Sequence, residues 1–180
     1  KGRVGAVPVF DGVIDFTRIS PKGAPVTYTF SAEGSAREFL KILNEEPLAL
    51  LKTTKLSPTQ FSGKARARVT ISRPNLKVAD RSDYGYSGRV DFSDVTIADF
   101  FRGGDHEGAA GRLDLKSRSM NVRADARFGD APVTIDWVQQ FFSGDSTFNV
   151  DGVFDSATGD FFGVPTRQVL RGPVKFKAAA

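Results

Sequence analysis

The sequence predicts an all-β fold whose sheet is apolar on one face and charged on the other. Three observations lead there. Long stretches alternate strictly between apolar and polar residues, which is the period of a strand with one shielded and one wet face. Turn-forming clusters such as Ser20-Pro-Lys-Gly, Gly103-Gly-Asp and Phe128-Gly-Asp-Ala-Pro punctuate these stretches. Phe is abundant, with 16 copies against one Trp, one Met and three Tyr, and so many rings need an apolar surface to face.

The elements read in order as follows. Val7 to Phe16 is a first strand. Val26, Tyr28, Phe30 and Ala32 then alternate with Thr27, Thr29 and Ser31. From Phe61 the apolar set Phe61, Ala65, Ala67, Val69 and Ile71 opposes Ser62, Lys64, Arg66, Arg68, Thr70 and Ser72. Tyr86, Gly88, Val90 and Phe92 repeat the pattern, as do Leu113 and Leu115 against Arg112, Asp114 and Lys116. Met120, Val122, Ala124, Ala126 and Phe128 against Asn121, Arg123, Asp125 and Arg127 form the cleanest alternation. Val133, Ile135 and Trp137 follow, then Phe148, Val150, Gly152 and Phe154, and finally Val174 and Phe176. The total is about nine strands.

A helical insert over about residues 35–53 interrupts the pattern. Ser35-Ala-Arg-Glu38 has the spacing of a capping box, and Phe39, Leu40 and Leu43 lie on one stripe. A second start is expected at Asn44, with Glu45, Glu46 and Pro47 in its first turn and Lys52 and Lys55 towards its end. The reading is a helix pair spanning Ala36 to Thr53 with Leu48, Leu50 and Leu51 inward. Val164 to Leu170 is another helical candidate, ahead of Gly172 and Pro173. Two small helices cannot cover so much apolar sheet. The sheet must therefore fold over itself, close into a barrel, or enclose an apolar ligand.

Composition narrows the function. The net charge of +4 is spread in alternation with apolar residues and forms no basic cluster, so nucleic-acid binding is not expected. The chain has no Cys, which removes disulfides, thiolate metal sites and cysteine nucleophiles. His106 is the single His, placed in a loop tip Gly103-Gly-Asp-His-Glu-Gly108 with no second His or Cys to complete a metal site. Gly-x-Ser-x-Gly, phosphate-binding and dinucleotide-binding patterns do not occur. The carboxylate pairs Asp91/Asp94, Asp151/Asp155 and Glu45/Glu46 read as strand ends and a helix first turn. No catalytic residue, metal or cofactor is expected, and no run is apolar enough to span a membrane as a helix.

Gly34-Ser-Ala-Arg-Glu-Phe-Leu40 with Glu46-Pro-Leu-Ala-Leu-Leu51 resembles the short helical insert of AsmA-like envelope proteins of the YhdP and TamB type. Phe61-Ser-Gly-Lys-Ala-Arg-Ala-Arg-Val is similar to the strand after it, and Phe161-Phe-Gly-Val-Pro-Thr-Arg-Gln-Val-Leu-Arg-Gly-Pro-Val-Lys-Phe to a segment where a short helix leads into a new strand. The resemblance covers about Gly34 to Phe176 and implies an extended, strongly curved antiparallel sheet with an apolar concave groove. It makes residues 1–180 one segment of a longer, inner-membrane-anchored periplasmic protein. Its implied partners are phospholipid acyl chains, moved between inner and outer membranes, and the remainder of the same chain. The family has no sharp lipid motif, so the expectation rests on the strand faces. The groove candidates are Phe30, Phe61, Val69, Ile71, Val90, Phe92, Leu113, Leu115, Met120, Val122, Phe128, Val133, Ile135, Trp137, Phe148 and Val150. The alternative is a closed β-sandwich with a structural or adhesive role and no lipid.

Overall fold

Apolar–polar alternation with short turns favours a meander, in which each strand pairs with its sequence neighbours. The computed structural model has that order throughout. It describes residues 2–16, 23–45, 51, 56–101, 104–128, 131–161 and 172–179. One antiparallel sheet runs β1 (Gly2–Val4), β2 (Val7–Phe16), β3 (Pro25–Ser35), β4 (Phe61–Pro74), β5 (Gly85–Phe101), β6 (Gly104–Lys116), β7 (Ser119–Phe128), β8 (Ala131–Gln140), β9 (Ser146–Phe154) and β10 (Val174–Ala179). The sheet is not closed, because β1 and β10 do not pair. The expected all-β curved sheet is present, with ten strands instead of nine: the three-residue β1 is too short to show periodicity.

The register turns the sequence alternation into faces. Val9, Ala32, Ala67, Val90, Leu113, Val122, Trp137 and Phe148 are successive partners across β2 to β9. They form one unbroken apolar row. A neighbouring row is Phe30, Val69, Gly88, Leu115 and Met120. One residue out of phase, Glu33, Arg66, Asp91, Arg112, Arg123 and Asp136 are partners on the opposite face. There Arg112 donates to Asp91 at 2.8 Å, Arg123 to Asp136 at 3.1 Å and, one row over, Arg89 to Asp114 at 2.9 Å. Asp91 also holds the Arg112 guanidinium above its ordinary pKa, by hydrogen bond and by charge. These exposed pairs fix register more than they add stability. As the alternation predicts, Arg66, Arg68, Arg123 and Arg127 are exposed, while Phe61, Ala67, Met120 and Ala124 are buried.

Curvature lets one sheet bury its own apolar face. Asp11, Asp94 and Asp99 have positive φ, and each sits where the strand register shifts. Asp tolerates this backbone better than most residues, and a bulge bends and twists its strand. Gly63, at φ 103°, marks a further shift, and a Cβ there would stand 2.6 Å from the Asp94 carbonyl oxygen. Asp91 and Asp94 therefore lie inside β5, not at a strand end as the sequence suggested. Asp151 lies inside β9 and pairs with Lys177 at 3.4 Å, whereas Asp155 accepts from the Thr158 backbone N–H just before helix α2 (Ser156–Phe161).

The insert is shorter in its described part than the expected helix pair. Helix α1 spans Ala36–Leu43, with Asn44 as its C-cap. Ser35 accepts from the Glu38 N–H at 3.3 Å, which is half of the capping box; the Glu38 carboxylate instead takes Lys41 at 2.7 Å. A full capping box occurs at Ser57 and Gln60, ahead of β4. Residues 46–50 and 52–55 lie outside the described residues, as does Val164 to Leu170. Leu51 is buried as expected.

Candidate functional site

The apolar face is floored by residues of very different size, and the size pattern determines what can rest on it. Under α1 the floor is small: Ala32, Gly34, Ala65 and Ala67. Phe39 is buried there, and the position of a Gly34 Cβ would be 3.8 Å from its ring and 3.7 Å from Val7. A Cβ there would already be in contact with both, so the patch of small residues is a close seat for α1. Ile42 and Leu43 extend the helix contact into the same cluster.

Away from α1 the floor is aromatic and branched, and it is only partly covered. Tyr28, Phe30, Val69, Ile71 and Tyr86 are partly exposed, and Tyr28–Ile71–Tyr86 are direct register partners. Val122 and Trp137 are also partly exposed, and Phe148 is 37% exposed at the far side. The Trp137 indole N–H donates to the Ser146 hydroxyl at 2.9 Å, which leaves the ring plane as apolar surface. Burial pushes the Tyr86 phenol above its ordinary pKa. Between these regions the floor is sealed by its own side chains, with Met120 at 2% and Leu113 at 8% exposure.

The candidates chosen from sequence fall into two adjoining clusters. Val69, Val90, Leu113, Leu115, Met120, Val122 and Trp137 belong to the first, and Phe61, Val133, Ile135 and Val150 to the second. Phe92 packs against both. Phe30 and Ile71 lie on the rows beside the first cluster, and Phe148 extends its row outward. Phe128 pairs with Ala131 in the backbone, and its side chain lies outside the described residues. Val7, Val9 and Phe39 belong to this surface and are not among the groove candidates. Tyr28 and Tyr86, which the alternation places on the apolar side, are also absent from them.

Two open depressions, of about 780 and 490 Å³, have mixed linings. Pro8, Phe10, Ala65 and Phe92 line the first beside Glu33, Lys64, Arg66 and Asp91, and Pro132, Val133, Val153 and Phe176 line the second beside Asp125, Asp151 and Lys175.

His106 is not in a loop tip, because its backbone pairs with Ile97 inside β6, which begins at Gly104 within the Gly103-Gly-Asp signal. Among the described residues no group of three His, Cys, Asp or Glu side chains could hold a metal ion. Among the described residues, too, no helix is long and apolar enough to cross a membrane. A comparison of the chain with protein-family models, curated proteins and solved structures finds no match.

Proposed function

We propose that this chain is a periplasmic groove segment of an AsmA-like envelope protein, holding phospholipid acyl chains on their way between inner and outer membranes. One observation carries the reading: the apolar row from Val9 to Phe148 crosses β2 to β9 without a polar interruption, on a sheet that is not closed. A surface of this kind suits a ligand that is long, flexible and without directional demands. Each acyl methylene removed from water contributes about 0.8 kcal/mol, and a row of side chains spaced by strand separation offers repeated contacts. The partly exposed patches, Phe30, Val69 and Ile71 on one side and Trp137 and Phe148 on the other, are where acyl chains would lie. The charged face, with its Arg–Asp ladder, keeps the outside wet. The alternative sandwich would need a second sheet over the apolar face, and the described strands form a single sheet.

The test is mass spectrometry of organic extracts from the chain purified out of Gram-negative cells, with binding of a fluorescent fatty acid to the delipidated protein. Co-purified phospholipid and saturable probe binding are expected. A folded chain that yields no lipid and binds no probe overturns the reading.

A further inference from the structure

The sheet is open along both of its lateral edges. β1 pairs only with Val7, Pro8 and Val9, so the rest of β2 is an edge. Asp11 to Phe16 are all exposed there, with Val13 at 57%, Ile14 at 56% and Phe16 at 52%. The bulge lies before Val13, and Val13 to Phe16 pair regularly with β3 on their inner side. On the far side, β10 pairs with β9 from Val174 to Ala179, and among the described residues no strand lies beyond it. An edge strand leaves alternate backbone N–H and C=O groups unpaired, which is a template for one more strand.

The two edges complement each other in face and in charge. Ile14 and Phe16 lie on the apolar face, paired with Tyr28 and Val26, while Asp15 lies on the charged face opposite Thr27. On β10, Phe176 packs into the apolar cluster, and Lys175 and Lys177 alternate with it on the charged face. Ile14-Asp15-Phe16 thus reads apolar, acid, apolar, and Val174-Lys175-Phe176 reads apolar, base, apolar. Asp15 and Lys175 are both exposed, and among the described residues neither has an ion-pair partner. Elsewhere on this face a cation meets an acid of the adjoining strand, as Arg112 meets Asp91 and Lys177 meets Asp151. Like edges do not fit: two β10 edges would oppose lysines, and two β2 edges would oppose aspartates.

We infer that β10 of one copy of this chain pairs in parallel with the bare half of β2 in a second copy, setting Asp15 beside the β10 lysines. The direction follows from the topology. Every pairing in the sheet is antiparallel between sequence neighbours, so β2 and β10 run the same way, and copies that share an apolar face meet with these strands parallel. Ile14 and Phe16 then lose exposed apolar area against β10, and the phase keeps apolar beside apolar. The contact is head-to-tail. Each joined copy still presents an unused edge, so growth continues past a dimer. The junction uses strand edges and not the partly exposed apolar patches, so it is independent of the acyl-chain reading.

The experiment is sedimentation velocity of the delipidated 180-residue chain at low salt, over about a hundredfold range of concentration. A mass that rises with concentration beyond that of a dimer, and falls again on dilution, is expected. Asp15→Lys should weaken association about tenfold, because it sets like charges across the junction. Lys175→Glu should weaken association in the otherwise wild-type chain and strengthen it in the Asp15→Lys background. That reversal of sign is specific to contact between the two edges. Both side chains are exposed, and circular dichroism checks that each variant keeps its sheet; should the double variant lose it, an equimolar mixture of the two single variants tests the same reversal, since it restores opposite charges at each junction. A wild-type monomer at every concentration, a dimer that grows no further, or a Lys175→Glu effect of the same sign in both backgrounds overturns the inference.

Discussion

Gly111 on β6 faces Ala124 on β7 with no space for a side chain between them. A Cβ at residue 111 would stand 2.7 Å from the Ala124 Cα and 3.0 Å from its Cβ, and would overlap the Arg123 carbonyl oxygen. The two strands approach closely here in the middle of the apolar face, beside Phe92 on one side and Ile135 on the other. The expected outcome for Gly111→Val is destabilisation of about 3 kcal/mol, or loss of the fold, because the obstruction is backbone and cannot rotate away. Gly12→Ala is the contrast: it meets nothing within 4 Å and should stay within about 0.5 kcal/mol of wild type. Denaturant midpoints of the two variants check the pair.

Phe39 anchors α1 to its small-residue seat, and it is 7% exposed. Phe39→Ala should cost about 3 kcal/mol in chemical unfolding, since the Ala and Gly floor beneath it has no side chains with which to fill the void. Ser35→Ala should cost about 1 kcal/mol, removing the acceptor for the Glu38 N–H while leaving the apolar contacts in place. Equal losses for the two variants would mean that helix formation, and not docking, dominates this corner.

The fold was legible because period two survives in nearly every strand, and the faces follow once register is set. Arg66, Arg68 and Arg123 are exposed, and Ala67, Val90 and Met120 are buried, as their phase requires. Bulges were not legible. Asp91 and Asp94 read as strand-ending residues because Asp is depleted in strands, yet β5 runs on through both, with a bulge at Asp94. The Gly103-Gly-Asp signal falls where β5 ends at Phe101 and β6 begins at Gly104, but His106 lies in the paired strand beyond it, because local turn chemistry does not tell how soon pairing resumes. The sheet's rows were legible, but which part of the floor stays exposed depends on where α1 rests, and periodicity carries no information on that.

Tyr86 gives a pH-dependent handle on the apolar face. Burial disfavours its phenolate, so its pKa lies above the ordinary value of about 10. Below that ordinary value both folded and unfolded chains hold the proton, and Tyr86 adds no pH dependence. Between the ordinary and the raised value the unfolded chain releases it first, so stability should fall as pH rises through this window. An ultraviolet titration of phenolate absorbance, taken as the difference between wild type and Tyr86→Phe, should show a group titrating later than a free tyrosine. A difference curve centred at the ordinary value would mean that water reaches the phenol freely.

The functional reading separates from a sealed core on one further pair of substitutions, Val69→Asp and Val122→Asp. Both valines are partly exposed on the apolar face: Val69 lies beside Phe30 and Gly88, and Val122 between Leu113 and Trp137. On an open patch each carboxylate keeps part of its hydration, so the sheet should persist, while a charge in the path of an acyl chain removes several methylene contacts at once. Phospholipid recovered by organic extraction, and fluorescent fatty-acid binding, should then drop by about tenfold or more with the circular dichroism spectrum unchanged. In a sealed interior the same carboxylate would be buried without a partner and would unfold the domain. Met120→Asp supplies that limit within the same protein, because Met120 is 2% exposed and should not tolerate the charge. If Val69→Asp and Val122→Asp unfold as Met120→Asp does, the patches are core and the acyl-chain reading fails.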